Sequence, residues 1–356
     1  VTVSVLYWCW CATLVAMSLS SSSRCTADVS SVIPTPSDVA VDTLGKFVAV
    51  AGENGHVAVA DLGSSASIAT SFQAHSGCIV RIAWAHHRFG RVLVTACEAG
   101  EFAVWSGAAG GERGEPTAFK KVYGGAQQRQ LNSVAWAPHE YGLMFALAWG
   151  DGQVIILCAR DAEMAQWDQQ SFMAHGGGCH AVSWSPAAAP GTLLQMPLGV
   201  PQAPGTSAAQ AQQAQQQQQI TMPSPRVVTC GPERSVRVWR YIAQDRHWLQ
   251  EQELAELPPQ VLLVRDVAWS PNPGLPFGYI AAGSDDGFVG VWRQDGCDGR
   301  WNYAPLGKQF ASAVCRVGWS AAGSLVHVSC ADGGSSVWKE DPSGEWVCAF
   351  ATDAQH

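Results

Sequence analysis

Charge is scarce in this chain: Asp, Glu, Lys and Arg make up 14% of 356 residues, and no run of five Lys or Arg occurs. Acids outnumber bases 29 to 21, for a net charge of -8. A surface without a basic cluster excludes a nucleic-acid footprint or a polybasic membrane patch and directs expectation to protein partners. Catalytic signatures are missing as well. There is no GxSxG elbow, no HExxH pair and no GxxxxGK[ST] phosphate loop. The 12 Cys contain no CxxC, and the closest pair, Cys9 and Cys11, has no second ligand pair nearby, so zinc is not expected. Cys97, Cys158, Cys230, Cys315, Cys330 and Cys348 lie in apolar runs, where a free thiol acts as a small buried hydrophobe. That usage fits a reducing compartment.

What is abundant is apolar and aromatic. Hydrophobic residues make up 47% of the chain and Trp occurs 16 times, which requires a large buried interior. Self-comparison shows one pattern six times: DVAVD ending at Asp42, RIAWA at Ala85, SVAWAP at Pro138, AVSWSP at Pro186, DVAWSP at Pro271 and RVGWS at Ser320. Each copy alternates like a strand, and Val41 stands where the others have Trp. A second strand follows, then a third ending at Ala60, Trp105, Leu157, Trp239, Trp292 or Trp338. Between them lies a turn with Gly55, Gly100, Gly152, Gly287 or Gly333, and with Arg234 as the exception. Gly accepts positive φ there, and Asx before it bonds nearby amides, the strongest short hairpin signal. Trp167, Trp248, Trp301 and Trp346 mark a fourth strand. The repeat, about 46 residues long, matches the blade of a WD-type propeller. The expected fold is all-β, a six-bladed WD-repeat β-propeller.

The propeller is expected over residues 33–350, between an extension at 1–32 and a tail at 351–356. Residues 187–225 carry QAQQAQQQQQ and six Pro, cannot build a core, and read as a solvated insertion between the first two strands of blade 4. A linker between two domains is the alternative. The stretch from Val3 to Leu19 is apolar and followed by four Ser, like a signal-peptide core, but no base precedes Arg24. A non-native extension and a targeting segment both remain open.

Polar candidates have turn or packing explanations. His75 and His175 each precede a first strand as Ala-His, positioned to bond the acidic residue of the hairpin turn, and their spacing brings no catalytic partner. Asp285 and Asp286 occupy such a turn. Gly107 to Gly114 lacks the GK[ST] ending and opens no helix. No catalytic, cofactor or metal residue is expected.

Several segments are more specific than a generic WD repeat. WAHHRFG at 84–90, NSVAWAPHEYG at 132–142, AHGGGCHAVSWSP at 174–186, VRDVAWSP at 264–271 with GLP at 274–276, and VWKEDPSGEWVCAF at 337–350 together resemble the Sec-thirteen family. The resemblance covers about residues 33–350. Blade 2 lacks the family's usual Trp-rich hairpin, the Gln-rich insertion is atypical of the family, and residues 1–24 have no counterpart. Members are the small propellers of the COPII outer cage and of the nuclear-pore Y complex. The resemblance implies an open ring completed by a β-blade from an α-solenoid coat subunit or nucleoporin. It also implies a scaffold with no cofactor, at the cytoplasmic face of the ER and at the nuclear pore, joined to membrane only through its assembly. A nutrient-signalling complex that uses the same propeller family is a further setting.

The outer strand of the last repeat lies within that repeat, so no exchange with the amino terminus is needed to complete it. The expected docking edges are His56, Val57, Ala58, Val59 and Ala60 in blade 1, and Trp346, Val347, Cys348, Ala349 and Phe350 in blade 6, offered for β-augmentation. The other readings are a WD-type adaptor with a closed ring that recruits peptides, and a secreted propeller enzyme suggested only by the apolar head.

Overall fold

A computed structural model describes residues 2–4, 26–62, 67–107, 118–188, 223–254, 257, 261, 263–296 and 299–352. Six four-stranded antiparallel sheets follow one another, each made of four consecutive strands. Blade 1 comprises Pro36–Val41, Phe47–Gly52, His56–Asp61 and Ser67–Gln73. Blade 2 comprises Ile79–Trp84, Arg91–Cys97, Glu101–Gly107 and Phe119–Ala126. Blade 3 comprises Leu131–Trp136, Met144–Trp149, Gln153–Ala159 and Trp167–Met173. Blade 4 comprises Ala181–Trp184, Arg226–Cys230, Val236–Ile242 and His247–Leu254. Blade 5 comprises Val264–Trp269, Phe277–Ser284, Val289–Asp295 and Trp301–Tyr303. Blade 6 comprises Val314–Trp319, Leu325–Cys330, Ser335–Glu340 and Trp346–Thr352. The last strand thus runs two residues past the expected end of the domain.

The chain is a six-bladed WD-repeat β-propeller. Its first strands line the axis and its fourth strands form the rim. The hairpin glycines take φ between +77° and +90°, and Arg234 holds the same left-handed turn at φ +61° without glycine. Ala181–Trp184 pairs with Arg226–Cys230 across the Gln-rich segment, so blade 4 keeps its register. The insertion between residues 189 and 222, and the apolar head apart from residues 2–4, lie outside the described residues. Thr2–Ser4 pairs with Thr26–Asp28 as a separate two-stranded ribbon. Among the described residues, no helix is long and apolar enough to cross a membrane.

Packing between neighbouring blades explains the Trp at the end of each first strand. Trp84, Trp136, Trp184 and Trp319 donate their indole N–H to Ala40, Ala83, Ala135 and Ala268, at 3.1, 3.0, 2.9 and 3.0 Å. Each acceptor is a first-strand carbonyl of the preceding blade. Between blades 4 and 5 the backbone N–H of Trp269 donates to the Ser183 hydroxyl at 3.0 Å. A buried apolar cluster spans each of these five joints. Every one of these five joints therefore combines removal of a large ring from water with a polar link, to a first-strand carbonyl in four of them and to the Ser183 hydroxyl in the fifth.

Candidate functional site

The joint between blades 6 and 1 is built differently. Val41 supplies no indole N–H, and no buried apolar cluster among the described residues joins these two blades. The outward face of blade 1 is covered from its own side. Val29 and Ile33, 1% and 0% exposed, pack on Val48, Val50, Ala58 and Ala60. A turn holds them, with the Val32 and Ile33 N–H groups both donating to the Val29 carbonyl.

This arrangement corrects one expected edge. His56–Asp61, which contains His56, Val57, Ala58, Val59 and Ala60, is the third strand and is paired on both sides, with Phe47–Gly52 and with Ser67–Gln73. Its N–H and C=O groups serve the ladder, because a fourth strand of blade 1, unmarked by Trp, lies outside it.

Blade 6 offers a face instead of a distinctive edge. Its outer strand, with Trp346, Val347, Cys348, Ala349 and Phe350, bonds on one side to Ser335–Glu340, as the outer strand of every blade bonds on one side. Val326, Val328, Trp338 and Trp346 turn toward blade 5. The alternate residues His327, Val337 and Phe350 lie opposite one another across the three strands, with Leu325, Lys339 and Val347 beside them. None of these six is fully buried, and Phe350 is 49% exposed. The second strands of the other blades are buried along almost their whole length, whereas in blade 6 burial alternates. Among the described residues no sheet packs on this face, and an apolar sheet face without cover marks an interaction surface.

At the axis the joint carries charge. In five blades a β-bulge near the start of the first strand precedes the residue three positions before the Trp site: Asp38, Arg81, Ser133, Asp266 and Arg316. Such a bulge re-aims the side chain that follows. Asp38 pairs with Arg316 across the joint, and its other oxygen accepts from the Ile82 N–H of blade 2 at 2.8 Å. Asp266 pairs with Arg81 from across the ring at 2.6 Å and accepts from the Val317 N–H of blade 6 at 3.1 Å. Burial pushes the Asp38 carboxyl up to about 6, against the pull of Arg81, and raises that of Asp266 for the same reason. Asp38 therefore favours folding more as pH falls through 6 toward 3.8. Sequence reading missed these four residues, although the variable first letter of DVAV, RIAW, DVAW and RVGW carried the signal.

His327 acts with the opposite sign. Burial pushes its ring down to about 4, so the fold accepts the neutral form while the unfolded chain takes up a proton below about 6.5. Its contribution is present above that value and is lost as pH falls to 4. We expect His327→Gln to spare roughly 2 to 3 kcal/mol of that loss between pH 7.5 and 4.5. Denaturant unfolding of both proteins at the two pH values measures it; parallel pH dependences would contradict the assignment.

The remaining candidates are structural. His75 contacts Glu101 at 3.2 Å and Thr95 at 2.8 Å, and Thr95 accepts the Trp105 indole N–H at 3.0 Å. His175 repeats this with Glu233, Thr229 and Trp239 at 2.7, 2.9 and 3.0 Å. Glu233 is the hairpin residue, whereas in blade 2, where Ala99 holds that place, Glu101 substitutes. Burial keeps both imidazoles below the ordinary range despite the carboxylates, so each contact is the hydrogen bond of a neutral ring. Cys97 and Cys230 are buried as expected, Cys158, Cys315 and Cys330 partly so, while Cys348 is exposed on the rim; all six are free thiols. Among the described residues, no group of three His, Cys, Asp or Glu converges to hold a metal ion.

Comparison with known proteins matches this architecture. Residues 255–293 match the WD domain, G-beta repeat. "Protein transport protein SEC13" of Mycosarcoma maydis is 30% identical, over 89% of this chain and 92% of the relative. "Protein transport protein sec13" of Aspergillus clavatus is 32% identical, over 87% of this chain and 96% of its own. The chain belongs to the SEC13 family. "Protein SEC13 homolog" of Drosophila melanogaster, 30% identical over 86% of this chain, aligns along 78% of its own length. SEC13-family similarity thus extends over nearly all six blades, whereas the repeat model matches within blade 5 and its approach.

Proposed function

We propose that the chain is a non-enzymatic scaffold subunit of protein transport, acting by docking on an α-solenoid partner that donates a β-blade beside blade 6. The coat of ER-to-Golgi vesicles and the nuclear-pore Y complex, with its traffic in mRNA, are the assemblies the reading points to. The observation that carries it is the blade 6 face bearing Leu325, Val337, Val347 and Phe350, against which no sheet lies among the described residues. A packed sheet removes such a face from water at about 25 cal/mol per Å² of apolar area. The names of the SEC13 relatives support the transport setting.

A tagged chain is expected to retrieve a large helical-repeat protein in stoichiometric amounts. Val347→Asp combined with Phe350→Asp, which place charge on partly exposed positions, should abolish retrieval while leaving the circular dichroism spectrum intact. Recovery as a lone monomer, or retrieval unaffected by both changes, would overturn the reading. A second reading, a closed-ring adaptor for peptide clients, is favoured by one observation: the Arg316 and Asp38 pair spans the joint. It predicts a monodisperse isolated chain and equal exposure of blade 6 with or without the retrieved partner.

A further inference from the structure

Five joints of the ring share one construction, and at the sixth, among the described residues, an ion pair stands in place of both components. Indole or backbone links and apolar clusters hold blades 1 through 6 in series. Where blade 6 meets blade 1, Val41 removes the indole, and the Arg316 guanidinium reaches Asp38, 278 residues away in sequence. We propose that the Arg316–Asp38 pair is an ionic latch that holds the unpartnered ring shut at the axis.

Three features favour a latch over an incidental surface pair. The pair is shielded, with side-chain exposures of 26% for Arg316 and 9% for Asp38, so water and salt screen it less than they would a rim contact. Both residues follow bulges at equivalent positions, so their aim is set by backbone and not by a flexible turn. Finally, the pair is one side of a circuit. Asp38 bonds blade 2 through the Ile82 N–H, Arg81 of blade 2 pairs with Asp266 of blade 5, Asp266 bonds blade 6 through the Val317 N–H, and Arg316 returns to Asp38. Each aspartate thereby joins an ion pair to a backbone hydrogen bond of a neighbouring blade.

The latch acts at the axis, while among the described residues no sheet packs on the outer part of blade 6, so the joint hinges about its inner end. That a donated blade must open this hinge rests on the scaffold reading above; the latch itself is a property of the isolated chain.

Hydrogen exchange of the full chain alone tests it. Arg316→Met should accelerate exchange at least tenfold in residues 36–41 and 314–319 while leaving 131–136 and 181–184 unchanged. Arg316→Lys should restore protection. Asp38→Asn, which keeps an acceptor for the Ile82 N–H, should also accelerate exchange at the joint. In the native chain, raising salt from about 0.05 to about 1 M should accelerate exchange at the joint, and in Arg316→Met it should not. Unchanged exchange at the joint, or the same acceleration in all six first strands, would overturn the proposal. Because no partner is present, this result stands apart from retrieval of a helical-repeat protein, which tests the scaffold reading separately.

Discussion

Gly152→Ala is expected to cost roughly 3 kcal/mol or more of stability, against about 1 kcal/mol for Gly344→Ala. Both glycines have nearly the same backbone, φ +90° and +88°, so the intrinsic penalty of a side chain in the left-handed region is common to them. They differ in space. A Cβ at Gly152 would stand 1.7 Å from the His175 carbonyl oxygen, whereas at Gly344 it would meet nothing within 4 Å. Relief by backbone movement carries its own cost, because the Gly152 carbonyl accepts from the Ala174 and His175 N–H groups at 2.8 and 3.2 Å. Displacing His175 in turn disturbs its contacts with Glu233 and Thr229, so damage to a blade 3 turn reaches blade 4. Denaturant unfolding of the two variants measures the difference; equal losses would show that the close approach carries no weight.

Trp184→Ala should lose about 3 to 5 kcal/mol, and Trp184→Phe about 1 to 2 kcal/mol. The ring is 6% exposed, meets Trp248 edge-on at a centroid distance of 5.9 Å, and belongs to the cluster shared by blades 3 and 4. Phe keeps most of the buried surface but leaves the Ala135 carbonyl without its 2.9 Å indole donor. The pair of variants separates the two components that are lacking among the described residues where blade 6 meets blade 1. Calorimetric or denaturant unfolding provides the check, and equal losses for Ala and Phe would contradict this division.

Most of the architecture was legible because a propeller is a chain of similar units, each in contact with its neighbours. Trp at the end of the first strand, the turn glycine and the returning rim Trp are local signals, and they placed all six blades. Arg234 shows the limit of such signals without breaking the rule, since it adopts the left-handed turn that glycine takes elsewhere. Contacts that close the circle were not legible. Asp38 and Arg316 belong to the first and last blades, and no repeat period relates them. The cover that Val29 and Ile33 give blade 1 was missed because these residues precede the first recognisable strand. His56–Ala60 reads as an edge in sequence because the fourth strand of blade 1, Ser67–Gln73, carries no Trp to mark it.

The blade 6 site was only half legible. Its outer strand was recognised, but every rim strand has the same unpaired side, so pairing alone identifies nothing. What singles it out is tertiary: alternation in Leu325–Cys330 persists where the corresponding strands of other blades are buried on both faces. In sequence the difference shows only as His327 and Ser329 at alternate positions of that strand.

Hydrogen exchange of the retrieved assembly against the isolated chain tests the account most directly. The account predicts at least tenfold greater protection of residues 325–330, 335–340 and 346–352 in the assembly, with the inner strands of blades 3 and 4 unaltered. Identical exchange of those three segments in both states would contradict it.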